Sequence, residues 1–277
     1  MTNQNPKISV IMPFYNSSRF IRSAVASILN QTFADFELIL IDDCSTDNSS
    51  QLIQDYLDDP RVVYIKNQEN QGIVKNLNYG LRIAKAEIIA RMDGDDIAEA
   101  TRLEEQFRFL LENHGIAVVG SSVEIINEND QVIDQRSKPI DPSFIAKNLI
   151  VYSPVVHPSV MYRKSAVLAV GGYREGYIYV EDIDLWYRLV YSGYKISNVP
   201  KFLLKYRYHA GSTAHQARLN AVKAFKLRKA TINNFKLKIN FNQKLSIYLQ
   251  FLVGIFFSGR QRQAVEGWYK KIFYHGK

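Results

Sequence analysis

Cysteine is almost missing from this chain of 277 residues: Cys44 stands alone. A single thiol excludes an intramolecular disulfide and a cysteine-built zinc cage, and it fits a reducing compartment. Long hydrophobic runs are missing as well. The longest, residues 245–257, falls short of the ~20 apolar residues that a spanning helix needs, so no segment is expected to cross a bilayer. The opening stretch MTNQNPKISVIMPFYN lacks a basic region followed by an apolar one, so no secretory signal is expected and the cytoplasm is the default location. Acids are scarce at one end only. Residues 215–277 hold thirteen Lys and Arg against the lone Glu266, a net of +12, which leaves residues 1–214 at −4 of the overall +8. The basicity therefore belongs to a tail that meets an anionic surface, lipid headgroups or nucleic acid, while the body does something else. The remaining composition, 47% apolar and 22% charged, is that of an ordinary globular protein.

Apolar runs alternate with helical patterns through the first half, the signature of a mostly parallel sheet covered on both faces. ISVIMPF, FELILIDD, RVVYIKN and AEIIARMD read as strands. RFIRSAVASILNQ, NSSQLIQDYLDD and GIVKNLNYGLRIAK read as the helices between them, the second capped by Asp47 or Asn48. A further helix is expected from near Glu99. In open sheets of this kind ligands bind beyond the carboxyl ends of the strands, which selects residues 13–16, Asp42 and Asp43, residues 67–72, and residues 93–96. After about residue 115 the regularity breaks. Two strands with a hairpin near Asn129 and Asp130 precede a loop-rich stretch holding Pro139, Pro142, Pro154 and Pro158; YVEDIDLWYRLVYSG then reads as a helix stopped at Gly193, and a last strand leads to His209.

Three acids crowd into four residues at the end of the fourth strand: Asp93, Asp95 and Asp96. Like charges that close raise one another's pKa unless donors or a cation compensate them. Read alone, D-x-D is a solvated turn capping the next helix. At a strand's carboxyl end, Asp93 and Asp95 instead suit a hard divalent cation, Mg²⁺ or Mn²⁺, that bridges phosphate oxygens. Asp42 and Asp43 end the second strand. Asp43 could accept a ring N–H from a nucleobase stacked on Tyr15, whereas Asp42 is equally suited to holding loop amides. Glu181 and Asp182 open a helix near Tyr179 and Trp186, where one serves as a general base and another acid caps the helix dipole. His157 and His209 could complete a metal or pyrophosphate site, although lone histidines are usually satisfied loop or core residues. Lys75 could reach a diphosphate as a point charge.

Together, SVIMPFYN, QTFADFELILIDDCSTDNS, NQGIVKNLNYGL, IIARMDGDDIAEATRLEEQ and GGYREGYIYVEDIDLWYRLVYSGY resemble, in order and spacing over residues 7–214, the inverting family-2 glycosyltransferases of GT-A fold. The resemblance implies a Rossmann-like α/β domain over 1–214, whose nucleotide-sugar half is 7–115 and whose acceptor half is 116–214, followed by a basic amphipathic helical tail over 215–277. It implies a nucleotide-diphospho-sugar donor, a UDP-sugar first among the candidates, held by Pro13, Tyr15, Asp42, Asp43, Lys75, Asp93 and Gly94. A divalent cation would sit on Asp95 with Asp93 and His209. Asp182, paired with Glu181, would be the base that deprotonates an acceptor hydroxyl, with His157, Gly172, Tyr173 and Trp186 near the acceptor. The acceptor would be a saccharide or a lipid-linked saccharide. Cys44 departs from the glycine that many members carry there. A sugar-phosphate nucleotidyltransferase is the rival class, but it needs a glycine-rich loop after the first strand, and MPFYNSSRF has no glycine. A non-catalytic sugar-nucleotide-binding protein would not need D-x-D and E-D together. The tail is expected either to lie on a membrane surface or to pack on its own domain or a second subunit, and nucleic acid is not expected as a partner.

Overall fold

The computed structural model describes residues 5–209 and 217–257. Its elements run β1 (Ile8–Phe14), α1 (Ile21–Leu29), β2 (Phe36–Asp42), α2 (Ser49–Leu52), β3 (Val62–Lys66), α3 (Ile73–Ile83), β4 (Ile88–Arg91), β5 (Ile97–Ala98), α4 (Arg102–Glu112), β6 (Ile116–Ile126) and β7 (Val132–Arg136). They continue with α5 (Pro142–Asn148), β8 (Met161–Arg163), α6 (Lys164–Ala169), α7 (Glu181–Tyr191), β9 (Lys195–Arg207), α8 (Ala217–Asn234) and α9 (Phe241–Phe256). One sheet carries all the described strands in the order β3-β2-β1-β4-β8-β6-β9-β5, with β7 hung on β6. The strands β3, β2, β1 and β4 are mutually parallel; β8 is antiparallel to β4 and to β6, and β9 is parallel to β6. The two halves expected at 7–115 and 116–214 thus share a single sheet, joined edge to edge at β4 and β8.

The two faces follow from the strand period of two. In β1, Val10 and Met12 enter one core with α1 and α4, while Ile11 enters the other with α3, α6 and α7. In β2, Leu38 and Leu40 divide from Ile39 and Ile41 in the same way. Both faces are covered, so these strands read as unbroken apolar runs rather than as alternation.

The second half departs from its loop-rich expectation. Pro142 sits at the first position of α5 under an Asp141 cap that accepts the N–H of Ser143 and Phe144. β8 has three residues, too few to show any period, yet it lies in the middle of the sheet. The last strand starts at Lys195, and its pairing with β6 skips from Val199 to Phe202. Pro200, without an N–H for the ladder, occupies that bulge. The helix expected over 48–59 shrinks to α2 and a 3-10 turn, Gln54–Tyr56. The carbonyl of Ser50 accepts the Gln54 side-chain amide at 3.0 Å, taking up the acceptor that the next helical turn would use.

The tail packs on the body. Leu227 of α8 and Ile247 of α9 are buried in the core that contains α5 and α7, and Gln250 donates to the Val151 carbonyl at 2.8 Å. Residues 210–216 and 258–277, part of the expected 215–277 tail, lie outside the described residues. No described helix is long and apolar enough to cross a membrane.

Candidate active site

The carboxyl ends of β1, β2 and β4 open into a cavity of about 560 Å³, whose far walls come from β6, β9, the segments around Val155 and Tyr179, and the first turn of α7. Pro13, Tyr15, Asp43, Asp93, Gly94, Asp95, His157, Glu181 and Asp182 all line it. Residues 169 positions apart in the chain, Pro13 and Asp182, therefore face one space.

Gly94 lets the acid turn fit. A Cβ there would meet the Phe14 Cβ at 2.8 Å, so only glycine allows the turn to lie against the end of β1. Protein groups compensate the three acids in part. Arg91, buried at the end of β4, pairs with both oxygens of Asp93 at 2.5 and 2.6 Å. His209 Nε2 lies 2.9 Å from Asp95 Oδ2. The Arg207 N–H donates to Asp96 Oδ1 at 2.8 Å. Burial still raises Asp93 and, more strongly, Asp96, with Asp95 adding repulsion to both. The outer oxygen of Asp96 is buried without a hydrogen bond. Ligand atoms of Asp93, Asp95 and Asp96 lie within 4.8 Å of one another, an all-oxygen set that fits Mg²⁺ or Mn²⁺.

Asp43 lines the cavity while organising its rim: one oxygen accepts the N–H of Gln71 at 2.7 Å and the Asn67 amide at 2.8 Å, the other the N–H of Gly72 at 2.8 Å. Asp42 is fully buried away from the cavity. Burial raises its pKa, but hydrogen bonds from Ser45, Ser50 and Tyr64 together outweigh that, so it stays below the usual carboxylate value as a support of the loop. Lys75 does not line the cavity; its ammonium points along α3 toward Gln71.

At the opposite wall, burial pushes the Glu181 carboxyl up to about 7, and the neighbouring Asp182 adds to the shift. Asp182 is raised as well, again chiefly by burial. The third acid of the first turn, Asp184, is fully buried in ion pairs with Arg174 and Arg188. Arg188 also reaches the carbonyls of Val170 and Gly172, tying α7 to the Gly171-Gly172-Tyr173 turn. Gly172 has φ +65°, and its Cβ would approach Asn78 Oδ1 at 2.8 Å. Tyr173 is bracketed by Asn78 through its N–H and carbonyl, and its hydroxyl meets His157 Nε2 at 3.0 Å. His157 is held neutral, its pKa lowered well below the ordinary value by burial and by Arg91. Gly172, Tyr173 and the fully buried Trp186 thus stand in the layer behind the cavity, with Trp186 edge-on to His157.

Several cavity residues were not singled out from sequence: Asn76, Arg91, Arg136, Lys138, Tyr206 and Asn220. Arg91 had a legible signal, a charge ending an otherwise apolar buried strand. Arg136 and Lys138 alternate along one edge of the hairpin after β6, a spacing that points both toward the same side.

The chain matches Glycosyl transferase family 2 over residues 9–170. It is 36% identical over 211 residues to the putative glycosyltransferase EpsE of Bacillus subtilis, covering 74% of each chain. It is 34% identical over 239 residues to the O-antigen biosynthesis glycosyltransferase WbnJ of Escherichia coli, covering 82% of this chain and 92% of that one. Among solved structures, S. aureus TarS 1-349 in complex with UDP-GlcNAc superposes with a TM-score of 0.62 at 20% identity, over 94% of this chain and 83% of that one. The mannosyltransferase PcManGT of Pyrobaculum calidifontis, in complex with GDP-Man and Mn2+, gives 0.64 at 15% identity, over 99% and 82%. These two likenesses concern the fold, and they bear out the expected GT-A arrangement.

Proposed function

The chain belongs to glycosyl transferase family 2, and on that premise we propose that it moves a sugar from a nucleotide-diphospho-sugar, a UDP-sugar as first expectation, to a hydroxyl of a saccharide or lipid-linked saccharide, inverting the anomeric carbon. The observation that carries this reading is the single cavity shared by Asp43, Asp93, Asp95 and Asp182. Tyr15 and Asp43 would take the base, with Pro13 and Gly94 along the donor. Asp95, with Asp93 and His209, would hold a divalent cation, consistent with the Mn2+ bound to PcManGT. Such an ion, when bound, supplies positive charge to the departing diphosphate. The chain's own chemistry is proton transfer and alignment. Asp182 takes the proton of the acceptor hydroxyl, the oxygen forms its bond to the anomeric carbon, and the bond from that carbon to the diphosphate oxygen breaks on the far side. Burial that raises the Asp182 pKa brings a carboxylate toward the range of an effective base. A sugar-phosphate nucleotidyltransferase is set aside by family membership.

The acceptor end carries Arg136 and Lys138 beside apolar Val123 and Val155, a wall that suits a saccharide linked to a phosphate-bearing lipid. The tail supports the same reading. Residues 217–257 contain eight Lys and Arg and no acid, and Phe241, Tyr248, Leu252 and Phe256 are exposed on α9. Basic residues along α8 and the link to α9, with exposed aromatic and aliphatic side chains on α9, suit the interfacial region of an anionic bilayer. Titration of UDP by calorimetry with and without Mn²⁺ tests the donor site: Asp95→Ala is expected to abolish the Mn²⁺-dependent part of binding, and unchanged metal dependence would remove Asp95 from the site.

A further inference from the structure

The basic tail reaches into the catalytic wall. Asn220, in the first turn of α8, lines the same cavity as Asp182. Lys223, three residues on and so on the same helical face, donates Nζ to the Ile178 carbonyl at 3.0 Å and sits 4.5 Å over the ring of Tyr179. Ile178 and Tyr179 also line the cavity. Tyr179 has φ +76°, the left-handed region that is sterically costly for a bulky residue. It stands two residues before Glu181 and three before Asp182.

A residue held in such a conformation persists only where its surroundings over-determine it. One cation grips the Tyr179 turn at two points, the carbonyl before it and its ring, while the Val180 N–H closes the turn on the Tyr177 carbonyl at 2.9 Å. The cation is delivered by a docked helix: Leu227 is buried in the body's core, and Arg228 bonds Gln250, which bonds Val151. Carboxylates at the start of α7 take their direction from the turn that feeds the helix. We propose that Lys223 is a positioning residue for the Glu181–Asp182 pair, acting through the Ile178–Tyr179 turn, so that the tail completes the active site. This rests on the reading of Asp182 as the base.

The test uses the full chain and follows nucleoside diphosphate release, with Mn²⁺, from whichever donor of a UDP- and GDP-sugar panel the wild type turns over fastest. Lys223→Met is expected to lower kcat about ten- to hundredfold, the scale of a misaligned reacting group. The donor KM and the affinity for UDP with Mn²⁺ should stay within about twofold, since the loss is confined to the transition state. Lys223→Arg should restore most of kcat, because guanidinium keeps both the hydrogen bond and the place over the ring. In Tyr179→Asn, which tolerates the left-handed turn, adding Lys223→Met should cost little more. Wild-type kcat in Lys223→Met, parallel loss of kcat and donor affinity, failure of Arg to restore, or losses that multiply in the double variant would each overturn the proposal. Full turnover in Asp182→Asn would instead remove the reading beneath it, whatever Lys223 does.

Discussion

Glu181 combines a buried carboxyl raised to about 7 with an outer oxygen that has no hydrogen bond, beside a second raised carboxyl at Asp182. Its folded pKa lies above the ordinary 4.5, so its stabilising contribution is complete below about 4.5 and is lost as pH rises through about 7. Glu181→Gln, which cannot ionise, should therefore match the wild type near pH 5 and exceed it at pH 8 by about 2–3 kcal/mol in denaturant unfolding. An equal effect at both pH values would show that Glu181 is not held near neutrality. The site keeps this destabilising pair where a core would hold apolar residues, as functional sites commonly do.

At the scale of elements, the end of β9 fastens the acid turn. Arg207 donates its N–H to Asp96 and its Nε to the Asp95 carbonyl at 2.7 Å, reaches the Asn127 carbonyl and Asp130 at the β6–β7 hairpin, and lies over Phe20. Arg207→Met should cost about 2–3 kcal/mol of stability, the scale of hydrogen bonds to a buried charge. It should also weaken Mn²⁺ binding measured by calorimetry; metal affinity unchanged at reduced stability would separate the clamp from the site. Nothing in the spacing of YRYH announced this clamp, because its hydrogen-bond partners lie 80 to 112 residues away. What the sequence did make legible were the elements long enough to show a period. Apart from the shortened α2, β1 to α3 and α7 fall where apolar runs and helical spacing placed them, with Gly193 ending the last. Two- and three-residue strands such as β5 and β8 carry no period, so they escaped notice. Site residues divide similarly. Asp43, Asp93, Asp95 and Asp182 were legible from their position at strand and helix ends. Gly172, Tyr173 and Trp186 were expected at the acceptor, yet they stand one layer behind the cavity wall, a distinction in depth that spacing cannot express.

For the whole molecule, the separation of a negative body from a positive tail gains a geometric meaning. The tail both packs on the body, through Leu227 and Ile247, and leaves Phe241 exposed between Lys238 and Lys244 in the chain and Phe256 exposed at the end of α9. Truncation before α8 would expose core, so the membrane reading is better tested by charge. Lys236, Lys238 and Lys244 replaced together by Gln should reduce cosedimentation with phosphatidylserine vesicles by about a hundredfold, at roughly 1 kcal/mol per basic residue, with the melting temperature unchanged. Undiminished sedimentation would leave the tail a purely intramolecular element. The central claim is that carboxylates from β2, β4 and α7 divide binding and chemistry within one cavity. Asp182→Asn tests it most directly, by calorimetry of UDP with Mn²⁺ beside donor turnover in the same preparation. Retained binding with turnover lowered about 10²- to 10⁴-fold is the predicted result, and wild-type turnover would contradict it.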